Sequence, residues 1–194
     1  MRTTFVNTLT ELARKDERIF LITADMGFSV FEGFREEFPD RFLNTGIAEQ
    51  NTIGIAAGLA LSNKIVYAYS IIPFITMRCF EQIRLDLAYN NTNVKLVGVG
   101  AGFTYGSMGS SHHAIEDIAI MRSIPNMTVL CPGDPFETEE LVKRSYENYG
   151  PMYIRLGKNG EPTIHKNKNR IDIGDPITVT EGNDLIILTT SNTL

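Results

Sequence analysis

Apolar residues recur along the chain at two alternating spacings, and this pattern predicts alternating helices and strands. In TFVNTLTELARKD, Phe5, Leu9 and Leu12 fall three or four positions apart, which is the spacing of one helix face. The next run, RIFLIT, is short and almost wholly apolar, as expected of a strand that is buried on both faces.

The same alternation continues through the first four fifths of the chain. Nearly continuous apolar strands separated by helices indicate a mostly parallel sheet that is covered on both faces. We therefore expect an α/β fold, a doubly wound mostly parallel sheet with helices on both faces, whose ligands bind at the carboxyl ends of the strands. The further predicted strands are RFLNT, KIVYAYS, NVKLVGVG, MTVLCP and PMYIRLG, and the further predicted helices are VFEGFREEFPD, residues 49–62, MRCFEQIRLDLAYN, AIEDIAIMRSI and DPFETEELVKRSYEN.

The pattern changes after residue 158. Residues 159–183 are polar and rich in turn-forming residues, which indicates a connector. Residues 184–194, DLIILTTSNTL, begin a new apolar run that is typical of a strand. We expect a domain over 1–158, a connector over 159–183, and the first strand of a truncated or absent C-terminal domain over 184–194.

Composition narrows the class of protein. The 194 residues carry a net charge of −5 and no basic face, so we expect no nucleic-acid partner. Cys79 and Cys131 lack CxxC spacing, which favours buried thiols in a reducing compartment over a disulfide framework or a zinc site. No run approaches the ~18 apolar residues of a membrane span, and no signal-peptide pattern precedes the first helix. We expect a cytoplasmic protein without a membrane partner.

Glu49 stands at the head of the helix EQNTIGIAAGLALS, whose other residues are mostly small or apolar. A first-turn glutamate complements the positive end of the helix dipole. A helix that is apolar on every face is a buried helix, however, and a carboxylate that enters a buried region needs a partner or a chemical role.

Four segments resemble the transketolase-like thiamine diphosphate enzymes, which include transketolase, 1-deoxyxylulose-5-phosphate synthase and the β subunits of 2-oxoacid dehydrogenases. The resemblance covers roughly residues 3–158 and implies the pyrimidine-binding domain of the thiamine diphosphate-binding fold. It implies that Glu49 is the glutamate that contacts the aminopyrimidine ring of thiamine diphosphate. The segments are LITADMG, FREEFPDRFLNTGIAEQNTIGIAAGLAL, GSMGSSHHAIEDIAIMRSIPNMTVLCPGDPFE and GPMYIRLGK.

The resemblance also implies other residues around the cofactor. The family stacks an aromatic ring on the pyrimidine, and Phe74 is the nearest aromatic residue here, although an ungapped match from MRCFEQ would place Ile75 there. Asp25 matches a family position near the cofactor and the dimer seam. Each of the two could equally have an ordinary structural role, Phe74 in the core and Asp25 in a turn.

Four more residues match family positions that face the substrate. His112, in GSSHH, takes the place of a histidine that can donate to a developing alkoxide or move a proton, with His113 beside it. Arg78 and Arg155 match arginines that meet the substrate phosphate in the synthase relatives, and Lys158 follows Arg155 on the same side.

The sequence also departs from the family pattern. Met108 stands where relatives have an acidic residue, and Gly100 stands where the synthase has an arginine. The GDG motif that holds Mg²⁺ and the diphosphate in the other cofactor domain does not occur. The chain therefore resembles the C-terminal subunit of a split transketolase. A partner chain would carry the diphosphate-binding domain in an α₂β₂ heterotetramer, and the helix that begins at Glu49 would support self-association.

These implications favour a thiamine diphosphate-dependent transketolase that moves a two-carbon ketol unit between sugar phosphates. A 1-deoxyxylulose-5-phosphate synthase-like enzyme and a 2-oxoacid dehydrogenase E1 β subunit remain alternatives. A non-catalytic interaction module that has retained the fold is a third hypothesis, of a different class.

Overall fold

The structure is a computed structural model that describes residues 1–158, 160–165 and 170–193. Helices and strands alternate as predicted. The predicted helix over 77–90 is less regular, because a three-residue helix there continues into a π-helical segment, Ile83–Tyr89. The helices are α1 Arg2–Lys15, α2 Glu32–Glu37, α3 Glu49–Leu61, α4 Ile72–Thr76, α5 Phe80–Gln82, α6 Asp117–Arg122 and α7 Pro135–Glu147, and the strands are β1 Ile19–Thr23, β2 Phe42–Asn44, β3 Ile65–Ile71, β4 Val94–Val99, β5 Thr128–Leu130 and β6 Met152–Leu156.

The six strands form one sheet in the order β2-β1-β3-β4-β6-β5, and every neighbouring pair is parallel. The predicted fold class is confirmed. After β1 the chain adds β2 on one side and then crosses to add β3 on the other, so the strand order reverses between β1 and β3. Ligands of such sheets bind where the order reverses, outside the carboxyl ends of the strands.

Apolar residues bury both faces of the sheet. On one face, Phe5 and Leu9 of α1 pack with Tyr67 and Val142. On the opposite face, residues of α3, the π-helical segment and α6 pack on the strands, among them Ile53, Ala56, Leu87 and Met121. The two layers explain why the strand sequences are apolar throughout rather than alternating.

Residues 185–188 form no strand in the structure, although the sequence predicts one there. Their side chains are 68–89% exposed, and the segment returns to the domain at Ser191, whose N–H donates to the Cys131 carbonyl at 3.1 Å. Asn159, residues 166–169 and Leu194 lie outside the described residues, so the connector over 159–183 is described only in part. The division into a domain, a connector and a further domain stays a prediction.

Within the described residues, no helix combines the length and the apolar character needed to cross a membrane.

Lys95 is a fully buried cation on β4. Its Nζ donates to the carbonyl oxygens of Asn148 at 2.9 Å and Gly150 at 2.6 Å, just after α7 ends. Burial lowers the pKa of Lys95 to about 7. The ammonium therefore joins the end of α7 to the sheet at the expense of its own hydration.

We predict that the stability of the protein rises from about pH 7 towards pH 10 through Lys95. Because the folded-state pKa of Lys95 lies below that of an unfolded lysine, the unfolded chain binds more protons in this window, so raising the pH favours the folded state. The slope should be at most about 1.4 kcal/mol per pH unit. Urea unfolding at pH 7, 8 and 9 should show this rise in the wild type and lose it in Lys95→Met. The exposed Lys15→Met serves as control, and an unchanged slope in Lys95→Met would contradict the assignment.

Candidate active site

Five side chains from separate segments meet at the carboxyl end of the sheet. We call them the Glu49 cluster; its members are Glu49, Phe74, Arg78, Tyr105 and His112. Glu49 begins α3, Phe74 lies in α4, and the other three lie in the loops that follow β3 and β4. The parallel sheet brings all of these segments to the same edge.

The position of Glu49 is set by the turn between β2 and α3. The Thr45 N–H donates to the Thr23 carbonyl at 2.9 Å, which ties the turn to the end of β1. The Thr45 and Thr52 hydroxyls lie 2.6 Å apart, and the Thr52 hydroxyl also donates to the Ala48 carbonyl. Glu49 is 5% exposed. The carboxylate of Glu49 is therefore buried in a defined position, as the apolar sequence of α3 suggests.

Arg78 is the partner of that carboxylate. Its Nη1 lies 3.1 Å from both Oε1 and Oε2 of Glu49, and its guanidinium carbon lies 4.0 Å from the centroid of the Phe74 ring. Phe74 is half-buried and faces the cluster, whereas Ile75 is 1% exposed and packs in the core. The structure thus presents Phe74, and not Ile75, at the site.

His112 also contacts the Phe74 ring. The ring centroids of His112 and Phe74 lie 5.0 Å apart, those of His112 and Tyr105 lie 5.5 Å apart, and both pairs meet edge to face. Its Nδ1 lies 3.0 Å from the Ser111 hydroxyl. Among the described residues this is the one hydrogen bond of the His112 ring, so Nε2 is available to a ligand.

His113 has a different role from its neighbour. Its Nε2 lies 3.0 Å from the Gly106 carbonyl, and its ring meets Phe103 edge to face at 5.0 Å. These contacts fasten the loop that carries His112. The structure therefore assigns the two adjacent histidines to separate surroundings, and the predicted substrate contact of His113 stays a prediction.

Gly100 explains one departure from the family pattern. Its φ is +95°, and a Cβ there would lie 2.1 Å from the Tyr105 ring. A larger residue would need Tyr105 to move and would also adopt a strained backbone. The backbones of Gly102 and Ala114 pair with each other and close the loop between them. Tyr105 and His112 both lie in this loop.

Two cations lie beside Tyr105. Lys158 Nζ is 4.7 Å from the centroid of the Tyr105 ring. Burial raises the pKa of Tyr105, and the nearby positive charge of Arg2 acts against that rise. The Arg2 Nε is buried and has no hydrogen-bond partner among the described residues. Sequence reasoning missed Arg2, because it opens an amphipathic helix at the far end of the chain and no motif marks it.

Arg155, which the sequence analysis expects at the substrate phosphate, forms its contacts inside the protein in this structure. Its Nε donates to Asp117 at 2.8 Å, its Nη1 to the Ser191 hydroxyl at 2.8 Å, and its Nη2 to the Ala114 carbonyl at 2.9 Å. Arg155 is 8% exposed, Asp117 is 0% exposed, and Tyr153 also donates to Asp117. All three guanidinium nitrogens of Arg155 have partners inside the protein, and its predicted phosphate contact stays a prediction.

Asp25 lies outside the Glu49 cluster. It adopts φ +51°, and its N–H donates to the Asn44 side chain at 2.9 Å, which also accepts from the Gly46 N–H at 3.0 Å. This arrangement is typical of a turn residue at the end of a strand. A contact between Asp25 and a cofactor stays a prediction.

The two cysteines are free. Burial, together with the charge of Glu49, raises the pKa of Cys79 to about 12, against the effect of Arg78. Burial raises the pKa of Cys131 to about 11. Both thiols are therefore protonated near neutral pH and poor nucleophiles.

Comparison with known proteins gives consistent matches. The sequence model of the family described as transketolase, pyrimidine binding domain, matches residues 1–162. The chain is 40% identical, over all of its length and 62% of the relative's, to an apulose-4-phosphate transketolase subunit of Phocaeicola vulgatus. It is 38% identical, over 98% of its length and 59% of the relative's, to the 6-deoxy-6-sulfo-D-fructose transketolase subunit SqwH of a Clostridium species.

A solved structure described as a split gene transketolase, inactive beta4 tetramer, superposes with a TM-score of 0.83 and 40% sequence identity. The match covers 93% of this chain and 58% of that one. The chain spans about three fifths of the length of the curated relatives that it matches.

We predict that the buried ion pair between Arg155 and Asp117 is required for stability. Arg155→Met would leave Asp117 buried without its cation and should cost about 3–5 kcal/mol of unfolding free energy. The double variant Arg155→Met with Asp117→Leu should recover part of that loss, because neither charge is then left unpaired. Chemical denaturation measures both. Arg14→Met, which breaks the exposed pair with Glu37, is the control. If Arg155→Met lost no more stability than Arg14→Met, the stabilising role of the Arg155–Asp117 pair would be refuted.

Proposed function

We propose a function from one premise: the chain belongs to the transketolase pyrimidine-binding domain family. We infer that it is the pyrimidine-domain subunit of a thiamine diphosphate-dependent transketolase. Together with a partner chain, it would transfer a two-carbon ketol unit between sugar phosphates. The relatives are named for different substrates, so the sugars of this enzyme are not carried over from them.

The observation that carries this proposal is the pairing of a buried carboxylate, Glu49, with the half-buried ring of Phe74. Arg78 shows what kind of group this site accepts. A guanidinium is flat, donates N–H bonds from its edge and stacks through its face. Glu49 accepts from that edge and Phe74 contacts that face. The same two contacts would hold the edge and the face of an aminopyrimidine ring, so the residues present fit the ring of thiamine diphosphate.

When bound, thiamine diphosphate would supply a carbon nucleophile that adds to carbonyl groups and then accepts an electron pair from the substrate. Glu49 would accept an N–H from the ring, and Phe74 would fix the ring plane. His112, whose Nδ1 is engaged by Ser111, would present Nε2 to a carbonyl or hydroxyl oxygen of the substrate and move a proton there.

Arg2 and Lys158 supply positive charge for the phosphate of the substrate. Lys158 contacts the Tyr105 ring, Arg2 is near enough to lower the tyrosine pKa, and the ring contacts His112, so a phosphate bound by these cations would place the rest of a sugar near the histidine. Arg78, which the sequence analysis placed at the phosphate, is paired with Glu49 in this structure.

Exposed apolar side chains around the site support a partner chain. Clusters of exposed apolar groups mark interaction surfaces, and we expect those in the loops after β1, β2 and β4 to be covered by the chain that carries Mg²⁺ and the diphosphate group. Gly54 and Gly58 of α3 add a surface that another helix can approach closely, which favours self-association in a heterotetramer. The apolar residues are Phe28, Ile47, Phe103, Met108 and Ile115, each 56–79% exposed.

The alternatives are less well supported. A synthase-like arginine at position 100 would collide with Tyr105, which disfavours close similarity to 1-deoxyxylulose-5-phosphate synthase. A non-catalytic module would need neither the buried carboxylate of Glu49 nor the arginine that neutralises it. A cytoplasmic location agrees with the free thiols.

We predict that Glu49→Gln lowers the turnover of the complex reconstituted with the partner chain by about 100-fold or more. Loss of a positioned carboxyl group that assists proton transfer has an effect of this size. Steady-state transfer from a panel of ketose phosphates measures it. Glu36→Gln, at an exposed position of α2, should leave turnover unchanged. Equal turnover in Glu49→Gln and wild type would favour the non-catalytic hypothesis.

We predict that the chain alone binds thiamine diphosphate and Mg²⁺ weakly, because the sequence lacks the GDG motif for the diphosphate. Adding the partner chain should tighten binding by about 100-fold or more, since two sets of contacts then act on one ligand. Isothermal titration with and without the partner measures the difference. Tight binding to this chain alone would contradict a site shared between chains.

A further inference from the structure

The side chain of Arg78 engages both groups that would hold the aminopyrimidine ring. Its Nη1 lies 3.1 Å from each carboxylate oxygen of Glu49, and its guanidinium carbon lies 4.0 Å from the Phe74 centroid. The guanidinium therefore reproduces, in one group, an edge contact with the carboxylate and a face contact with the aromatic ring. A second flat group cannot use the same oxygens and the same face at the same time.

We propose that Arg78 is an internal competitor for the aminopyrimidine ring, which holds Glu49 and Phe74 until the ring displaces it. The inference rests on the proposed function, since it takes Glu49 and Phe74 to be the ring's partners. It assigns Arg78 a role in cofactor loading that is separate from any contact with the substrate.

Arg78 can leave without a change in the backbone. Its side chain is 48% exposed, whereas that of Glu49 is 5% exposed. Its backbone carbonyl accepts a hydrogen bond from the Gln50 side chain at 3.0 Å, which holds the main chain against the first turn of α3. Release of Glu49 and Phe74 therefore needs only a rotation of the Arg78 side chain, and rotations of exposed side chains are fast.

The competition also explains how Glu49 is tolerated before the cofactor arrives. A buried carboxylate without a partner is costly, and Arg78 removes that cost. The ring must replace what Arg78 supplies, so its apparent affinity is reduced by the fraction of molecules in which Arg78 has already left. Ring contacts alone then hold the cofactor weakly, and stable loading depends on the diphosphate being held by the partner chain.

The first experiment examines Arg78 in the ligand-free full-length chain. In a sample labelled with ¹⁵N-arginine, NMR exchange measurements report rotation of each guanidinium group. Rotation of Arg78 should be slowed relative to that of the exposed Arg84, and Glu49→Gln should release it. If the Arg78 guanidinium rotates as freely as Arg84 in the wild type, the inference is wrong whatever the cofactor does.

The second experiment measures binding of 4-amino-5-hydroxymethyl-2-methylpyrimidine, which carries the thiamine ring without its diphosphate. Arg78→Ala should bind this probe roughly five- to thirtyfold more tightly than the wild type, because an ion pair and a cation–π contact no longer compete. Arg84→Ala, which removes the same charge from the neighbouring helical segment, should bind like the wild type. Circular dichroism establishes that each variant is folded.

The outcomes separate this inference from the proposed function. Equal or weaker binding to Arg78→Ala overturns the competition and leaves the ring site intact. Probe binding to the wild type with unchanged Arg78 signals does the same. Failure of the probe to bind either protein at millimolar concentration, with Arg78 of the wild type still held on Glu49, overturns the ring site and therefore the proposed function as well.

Discussion

A carboxylate that is removed from water must be given a hydrogen-bond donor, and the site is arranged around that requirement. Glu49 is buried at the first turn of α3, where the helix dipole favours its charge. The dipole alone leaves two carboxylate oxygens to be satisfied. Arg78 satisfies them in this structure, and the proposed cofactor ring would satisfy them in the working enzyme. On the proposed function, the donor to Glu49 would therefore be Arg78 before the cofactor binds and the cofactor ring afterwards.

The parallel sheet makes such a site possible with residues that are far apart in sequence. All six strands run in the same direction, so the segments that follow β2, β3, β4 and β6 all emerge at one edge. Glu49, Phe74, His112 and Lys158 meet there although more than a hundred positions separate the first from the last. The packed layers on both faces keep these segments from moving relative to one another, which suits a site that must hold a flat ring in a fixed plane.

The sequence predicted much of the fold and named residues that the structure brings together at one edge of the sheet. Short apolar runs located the strands, because a strand that is buried on both faces must be apolar at nearly every position. The choice between Phe74 and Ile75 could not be made from the sequence, since it depends on which side of a short helix faces the core. The internal partners of Arg155 could not be predicted for a related reason: nothing in YIRLG reveals that Asp117 and Ala114 lie within reach of its guanidinium. Arg2 was missed because proximity across the sheet leaves no local pattern.

The contacts of Arg155 connect the loop that carries His112 with the segment around Ser191. Arg155 bonds to Ala114, where the loop that carries His112 closes, and to Ser191, which lies 36 positions later in the chain. A change in the segment around Ser191 can therefore shift the histidine without altering any residue beside it. In evolution, this offers a route by which substitutions remote from the reacting groups could retune substrate preference while Glu49 and Phe74 stay as they are.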